Sequence, residues 1–187
     1  MTKLYERLER AYKSIVDKIP FHPRLALVLG SGLGDFAERI EIEASIDYHD
    51  ITDFPVSTVS GHKGRFVFGH IGSVPVVIMQ GRVHYYEGYA MEDVVLPARL
   101  MHLMGAEILF LTNACGSANP AYQAGDFMLL TDHILYSVPN PLIGANAEEL
   151  GVRFPDMSEV YDSALRKEIL AVAKEQGLSI REGVYMQ

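Results

Sequence analysis

The sequence predicts an α/β protein with a mixed β-sheet flanked by helices, and three observations support that fold class. The continuous apolar run Leu25–Leu29 has the pattern of a strand that is buried on both faces. Residues 65–71 and 74–79 read as two strands joined by the turn Gly72-Ser73, which predicts a β-hairpin. Amphipathic helical segments alternate with the apolar runs. The hairpin makes the expected sheet mixed rather than purely parallel.

The elements can be placed in order along the chain. Apolar residues at three- and four-residue steps predict a helix over 1–18, which Pro20 and Pro23 end. A glycine-rich turn follows the strand at 25–29, and a helix is expected over 35–40. Two further helices are predicted over 91–104 and 159–176. A buried strand is predicted over 107–112, and further strands over 127–130 and from 183. A long turn-rich loop is predicted over 139–155.

Composition excludes several classes of protein. The 187 residues carry a net charge of −8, and 49% of them are hydrophobic, which excludes a disordered chain. The acidic balance argues against a general nucleic-acid or anionic-membrane binder. A single cysteine excludes a disulfide framework, and the histidines show no metal-ligand spacing, so no metal site is expected. With no apolar leader or spanning segment, we expect a cytoplasmic location.

Domain organisation follows from the absence of repeats, low-complexity tracts and linkers. We therefore expect residues 1–187 to form a single α/β domain. The last predicted strand reaches Gln187, and nothing after it covers the sheet. The sequence is accordingly expected to lack a C-terminal portion of the fold.

Three loops at the carboxyl ends of predicted strands are candidates for a ligand site. The glycines of 30–34 would let successive N–H groups point into one concavity that holds an anion, with Ser31 adding a hydroxyl. No Lys-[Ser/Thr] follows, so this is not a P-loop, and Asp35 stands where a dinucleotide fingerprint needs glycine. Taken alone, the loop fits an anion site or a plain tight turn equally well.

The second loop supplies positive charge, and the third supplies a carboxamide. Arg82 and His84 are two residues apart and would face the same way on an extended segment, where a guanidinium fork matches a phosphate. An isolated Arg-x-His is nevertheless more often an ordinary surface pair. Asn113 ends the next strand and could fix a ligand hydroxyl or phosphate. His62, between two glycines, either lines an anion site or is merely solvated.

The order of these motifs is more specific than any one of them. The segments that carry it are Leu29-Gly-Ser-Gly-Leu-Gly34, Gly61-His62-Lys63-Gly64, Gln80-Gly-Arg-Val-His-Tyr-Tyr-Glu-Gly88, Thr112-Asn-Ala-Cys-Gly-Ser117, Pro139-Asn-Pro141 and Arg153-Phe-Pro155. This series resembles the trimeric class of purine nucleoside phosphorylases, over nearly the whole chain from about Leu25. The resemblance implies a three-layer fold with a twisted mixed sheet, and it implies phosphorolysis of purine nucleosides to the free base and ribose 1-phosphate.

The resemblance also assigns roles by position. The residues matched to the phosphate site are Ser31, His62, Arg82, His84, Asn113 and Ala114. His84 is matched to catalysis, because it lies between phosphate and sugar. The ribose site is matched by Tyr86, Phe154 and Tyr185, and Phe154 is the aromatic residue that members lend to a neighbouring subunit. The family's purine-binding Glu and Asn fall after the strand that reaches Gln187.

The resemblance implies a purine nucleoside as substrate and orthophosphate as co-substrate, without a metal or an organic cofactor. It implies no nucleic acid and no membrane as partners, and a homotrimer as the assembly. Methylthioadenosine phosphorylase, which shares the fold and chemistry, is a close alternative. A non-catalytic purine- or phosphate-binding module is an alternative of another class. A dinucleotide-dependent oxidoreductase is a third, which Asp35 disfavours.

Overall fold

The computed structural model describes residues 2–57 and 63–187. The chain divides into two compact units. The first contains residues 1–114 and 141–151, and the second contains residues 115–140 and 152–187.

The first unit is built on a five-stranded sheet with the strand order β2-β3-β4-β1-β5. Its elements are α1 (Lys3–Lys13), β1 (Leu25–Val28), β2 (Ile42–Asp47), β3 (Arg65–Ile71), β4 (Val74–Gln80), α2 (Met91–Leu103) and β5 (Ile108–Leu111). β1 pairs in parallel with β4 and β5, whereas β2–β3 and β3–β4 are antiparallel. The predicted hairpin and the predicted mixed sheet are both confirmed. Because β4, β1 and β5 run the same way, the loops after all three leave from one edge of the sheet.

Both faces of this sheet are covered by apolar side chains. On one face, Phe66, Val77 and Met79 pack with buried residues of α1 and α2, such as Leu8 and Leu100. On the other face, alternate strand residues pack against the segment that follows the glycine-rich turn; they are Leu27, Leu29, Val67, Val76 and Ile78. The inner strands β1, β3 and β4 therefore bury both sides, as the continuous apolar runs predict.

Three local expectations need correction. β5 was expected to be buried, but it is the edge strand and its Leu109, Phe110 and Leu111 are each at least 40% exposed. Residues 34–38 form a short 3₁₀ helix instead of an α-helix over 35–40. So few residues provide no helix dipole of consequence, and any anion here depends on the loop's own N–H groups. β2 was not among the predicted strands.

The second unit contains a two-stranded parallel sheet of β6 (Phe127–Ile134) and β7 (Ile180–Met186), together with α3 (Ser163–Glu175). Asp162 begins α3 by accepting a hydrogen bond from the backbone N–H of Leu165 at 2.8 Å. The helix predicted over 159–176 and the strand predicted from 183 are therefore confirmed, with adjusted ends. Among the described residues of the whole chain, no helix combines the length and apolarity needed to cross a bilayer.

Candidate active site

The glycine-rich turn is fixed at its first residue by the end of a neighbouring strand. Gly30 donates its N–H to Oγ1 of Thr112 at 2.8 Å, and that hydroxyl donates to the carbonyl of Val28 at 2.8 Å. A Cβ on Gly30 would lie 2.7 Å from the carbonyl oxygen of Thr112 and 2.8 Å from Cα of Asn113. Only glycine allows this approach, so the loop after β1 lies directly against the loop after β5.

Arg82 joins the same point from the loop after β4. Its Nη1 donates to the carbonyl of Thr112 at 2.8 Å, and its Nε donates to Nε2 of His84 at 3.1 Å. The predicted side-by-side placement of Arg82 and His84 is therefore confirmed as geometry. Since Gly30 and Arg82 both bond to Thr112, the turn that carries Ser31 and the guanidinium lie at the same edge of the sheet.

His84 is held by an acidic neighbour three residues later. Oε1 of Glu87 is 2.8 Å from Nδ1 of the ring and accepts the backbone N–H of His84 at 2.8 Å. The Arg82 guanidinium is always a donor, so Nε2 accepts and the ring proton lies on Nδ1, facing the carboxylate. The Glu87 side chain is only 3% exposed. This buried carboxylate fixes both the orientation and the tautomer of the imidazole.

Tyr86 continues the same surface outward. Its ring stacks on the His84 ring, with centroids 4.6 Å apart and an interplanar angle of 21°. The phenol is 74% exposed. An apolar face therefore extends from the imidazole into solvent, which suits the edge of a sugar.

Asn113 and Ala114 follow Thr112, and both are exposed. The Asn113 backbone lies against Gly30. The three loops after β1, β4 and β5 are thus in contact. They carry five of the six residues matched to the phosphate site, namely Ser31, Arg82, His84, Asn113 and Ala114. The sixth, His62, lies outside the described residues.

A small open cavity of about 220 Å³ lies over the glycine-rich turn. Ser31, Gly32, Lys63 and Gln80 are among the residues that line it. Gly32 has φ +83°, a left-handed conformation that re-aims the following peptide and that other residues rarely adopt. The glycine-rich backbone, the Ser31 and Lys63 side chains and the acidic residue Asp35 therefore border one concave space.

Beside this cavity, one oxygen of Glu38 accepts three donors. Oε1 lies 2.6 Å from Nζ of Lys63, 2.7 Å from Nη2 of Arg65 and 3.2 Å from Nε2 of Gln80. The hydrogen bonds from Lys63 and then Gln80 are the largest causes that lower the pKa of Glu38 from its ordinary value. The carboxylate is therefore ionised and neutralised by its neighbours.

A buried phenol also fixes the loop after β4. Tyr48 is 1% exposed, and its hydroxyl donates to the carbonyl of Gly81 at 2.7 Å. Desolvation raises the pKa of Tyr48 well above its ordinary value, so the group remains a neutral donor. Gly81 immediately precedes Arg82, so this bond helps to fix the backbone position from which the Arg82 side chain extends.

Two residues matched to the ribose site belong to the second unit. Phe154 is 86% exposed, and the guanidinium carbon of Arg153 lies 5.7 Å from its ring centroid. Tyr185 is on β7, half-buried, with its ring 5.9 Å from that of His133. Both roles stay predictions.

No metal centre is apparent in the part of the chain that the structure describes. Within residues 2–57 and 63–187, no group of three or more His, Cys, Asp or Glu side chains is arranged to hold an ion.

Comparison with known proteins gives these loops a family. The model of the phosphorylase superfamily matches residues 24–187, which include all three loops. The chain belongs to the phosphorylase superfamily. The resemblance found in the sequence is thereby confirmed at the level of the family.

Individual members of the superfamily match closely. The chain is 49% identical to purine nucleoside phosphorylase 1 of Geobacillus stearothermophilus, over 96% of this chain and 65% of that protein. It superposes with a TM-score of 0.90 and 38% identity on Schistosoma mansoni purine nucleoside phosphorylase in complex with inosine, covering 97% of this chain and 65% of that one. A purine nucleoside phosphorylase in complex with ribose-1-phosphate gives a TM-score of 0.91 and 38% identity, covering 100% and 71%. The predicted fold class is confirmed, and the chain spans about two thirds of these relatives.

Sequence reasoning assigned no role to several side chains of this phosphorylase-superfamily site. Thr112, which bonds to two loops, carried no local signal, because its partners are 30 or more residues away. Glu87 did carry one, since a carboxylate three residues after His84 is within reach of that residue in a single turn. Gln80 also carried a local signal, because it is an amide at the end of the apolar run of β4.

Proposed function

We propose that this protein is a purine nucleoside phosphorylase. It would cleave the N-glycosidic bond of purine (deoxy)ribonucleosides with orthophosphate and release the free base and (deoxy)ribose 1-phosphate. The single observation that carries the proposal is the convergence of the glycine-rich turn, Arg82–His84 and Thr112–Asn113 at one edge of the parallel strands. The superfamily match and the relatives crystallised with inosine and ribose-1-phosphate support it.

The convergent loops are suited to an oxyanion. Ser31, the N–H groups of the glycine-rich turn and the backbone of Ala114 would donate hydrogen bonds, while Arg82 and His84 add a cation and an imidazole. His62 is assigned to the same phosphate by the resemblance. Donors fixed before the ligand arrives need no reorganisation during the reaction, which is the main source of electrostatic catalysis.

In the reaction, the bond between C1′ of the sugar and N9 of the purine breaks, and its electron pair leaves with the base. The ribosyl ring becomes cationic, and a phosphate held beneath C1′ stabilises that charge and then forms the new C–O bond. The released purine takes up one proton, which balances the proton that hydrogen phosphate loses when it becomes the phosphate ester. Holding the phosphate in line turns an encounter of two molecules into a positioned step. The proposal needs no metal or organic cofactor, because phosphate is the nucleophile.

His84 is proposed as the catalytic residue, between the phosphate and the sugar. Its Nδ1 proton faces Glu87, and its Nε2 accepts from Nε of Arg82, so the imidazole and the guanidinium are held together. Tyr86, stacked on this ring and 74% exposed, would contact the ribose. Tyr185 is proposed as a further ribose contact on the strength of the resemblance.

We propose a homotrimer as the assembly, in which Phe154 completes the ribose site of a neighbouring subunit. The resemblance supplies this idea, and the 86% exposure of the Phe154 ring supports it, because so large an apolar side chain is costly to leave in water. Sedimentation of an active monomer would contradict the trimer without touching the proposed reaction.

The test is release of hypoxanthine from inosine by the full-length protein, with and without orthophosphate. We expect release that depends on phosphate and yields one ribose 1-phosphate per base. Arg82→Ala and His84→Ala should each lower kcat/KM by about 10²-fold or more. Lys18→Gln is the control, since Lys18 forms an exposed ion pair with Asp50 at 2.9 Å outside these loops. Hydrolysis without phosphate, or full activity in both variants, would refute the assignment.

A further inference from the structure

We propose that Gln80 is a positioning residue that holds the glycine-rich turn in its phosphate-binding shape; this inference rests on the proposed function. Nε2 of Gln80 donates to the carbonyl of Gly34 at 2.7 Å, at the end of the turn opposite to Gly30. The turn is therefore fixed at both ends, by Thr112 at its start and by Gln80 at its finish.

The burial of Gln80 is the first step of the argument. It is only 2% exposed, and its side chain lies with the apolar residues at the centre of the sheet. It ends β4 after four buried apolar residues, Val76–Met79. Burying a carboxamide costs free energy unless its groups are paired, so a hydrophobic residue would be the default at this position.

The pairing of Gln80 is the second step. Its Oε1 accepts from Nε of Arg65 at 2.8 Å, and Nε2 donates to Gly34 and also to Glu38 at 3.2 Å. Arg65 lies directly opposite Gln80 in the β3–β4 register. The amide can satisfy these partners in only one orientation, because a flipped amide would turn its NH₂ toward the guanidinium.

Glu38 connects this amide to the rim of the cavity. Its carboxylate accepts Arg65 and Gln80 together with Lys63, and Lys63 lines the cavity beside Ser31. Lys63 and Arg65 together outweigh the charge of Glu38, and Asp35, which also lines the cavity, balances the remainder. The cluster therefore anchors the turn and places the Lys63 ammonium group at the rim of the cavity.

Two substitutions distinguish a positioning role for Gln80 from a role in filling space only, by their effect on phosphate affinity. Gln80→Glu keeps the volume but replaces the NH₂ donor with an oxygen that faces the Gly34 carbonyl and the Glu38 carboxylate. Gln80→Met keeps an apolar, well-filled site and removes the hydrogen bonds without adding repulsion. Positioning predicts that Gln80→Met weakens phosphate binding, whereas space filling predicts little effect of that substitution. Gln80→Glu also places a negative charge beside the anion site, so it should weaken phosphate binding further.

The experiment measures the KM for orthophosphate, the KM for inosine and the orthophosphate affinity by calorimetry in the full-length protein. We expect Gln80→Met to raise the phosphate KM and Kd by about tenfold, with Gln80→Glu higher still and the inosine KM at saturating phosphate changed by less than about threefold. Equal changes in both KM values, or a phosphate KM within twofold of the unmodified protein in both variants, would overturn the inference.

Glu38→Gln gives an independent test on an exposed side chain, so folding is not at risk. Removal of a negative charge beside an anion site should tighten phosphate binding if electrostatics alone acts, whereas loss of the anchor should weaken it. We expect weaker binding, and tighter binding would overturn the inference. Asp50→Asn is the matched control, because it removes a comparably exposed lysine–carboxylate pair elsewhere.

The failure of the proposed function is distinguishable from the failure of this inference. If the unmodified protein releases no base with phosphate, the phosphorylase assignment falls, and calorimetry alone then decides the role of Gln80. If the unmodified protein binds no orthophosphate, both ideas fall. If it is active and the Gln80 variants bind phosphate normally, only the positioning role falls.

Discussion

Arg82 donates from Nη1 to the carbonyl oxygen of Thr112 at 2.8 Å, so the loop after β4 is bonded directly to the last residue before Asn113. The same guanidinium donates from Nε to His84 at 3.1 Å. A planar fork with fixed donor directions is needed to make both bonds at once. The contact therefore sets the position of the guanidinium before any ligand binds.

Arg82→Lys should lower kcat/KM for phosphate by about 10²-fold although the charge is kept, because one ammonium cannot reach both Thr112 and His84 in the geometry of the fork. Steady-state phosphorolysis of inosine over a range of phosphate concentrations measures the effect. Arg10→Lys, at an exposed ion pair with Asp53, should leave the kinetics unchanged. A Lys variant at position 82 with normal kcat/KM would show that charge alone is needed.

Glu87 variants should separate charge from geometry at His84. Glu87→Gln retains an oxygen that can accept both His84 donors but loses the charge, so we expect roughly a tenfold drop in kcat/KM. Glu87→Ala removes both acceptor bonds and should cost more than Gln, because the ring can then rotate and change its tautomer. Comparing the two variants in the same assay checks the order. Equal activity of the Ala variant and the unmodified protein would remove Glu87 from the site.

Gly30→Ala should destabilise the fold and disturb the junction of two loops. The added Cβ meets backbone atoms of Thr112 and Asn113 at 2.7–2.8 Å, which cannot move aside like a side chain. We expect a loss of about 1–3 kcal/mol in the free energy of unfolding, measured by denaturant titration. Gly34→Ala is the steric control, because a Cβ there meets nothing within 4 Å. Similar stabilities of the two variants would contradict the close approach.

Tyr48→Phe should cost about 1–2 kcal/mol at neutral pH, because the Gly81 carbonyl loses its buried donor. The pKa of Tyr48 is raised in the folded state, so its stabilisation is complete below the ordinary value of 10.0 and declines above it. The stability difference between the unmodified protein and the variant should therefore shrink as the pH rises past 10. Tyr136→Phe, at an 81% exposed phenol, is the control. A difference that grows with alkaline pH would contradict the assignment.

The strands and helices were largely predictable because periodicity reports burial. The apolar run of β1, the hairpin of β3 and β4, and the helices α2 and α3 all lie where the patterns put them. β2 carried a usable signal as well, since Ile42, Ala44 and Ile46 alternate with polar residues. The exposure of β5 was not predictable. Its composition is as apolar as that of an inner strand, and only the order of strands in the sheet places it at the edge.

The candidate site was only partly predictable, for a related reason. Arg82 and His84 share a short segment, so their common orientation followed from strand geometry. Gln80 instead bonds to Gly34, which is 46 residues earlier, and Thr112 bonds to Gly30 across 82 residues. No local pattern encodes such pairs, and they become visible only when the sheet brings the strand ends together.

The β3–β4 hairpin has a practical consequence for handling the protein. Its turn at Gly72 and Ser73 lies at the far end of β4 from Gln80, about 20 Å along a strand of seven residues. In a variant whose exposed Cys115 is replaced by serine, a cysteine introduced at Ser73 would carry a fluorophore or a surface tether away from the anion-binding edge. Immobilised protein attached there should keep its loops open to solvent, so ligand exchange could be followed in flow.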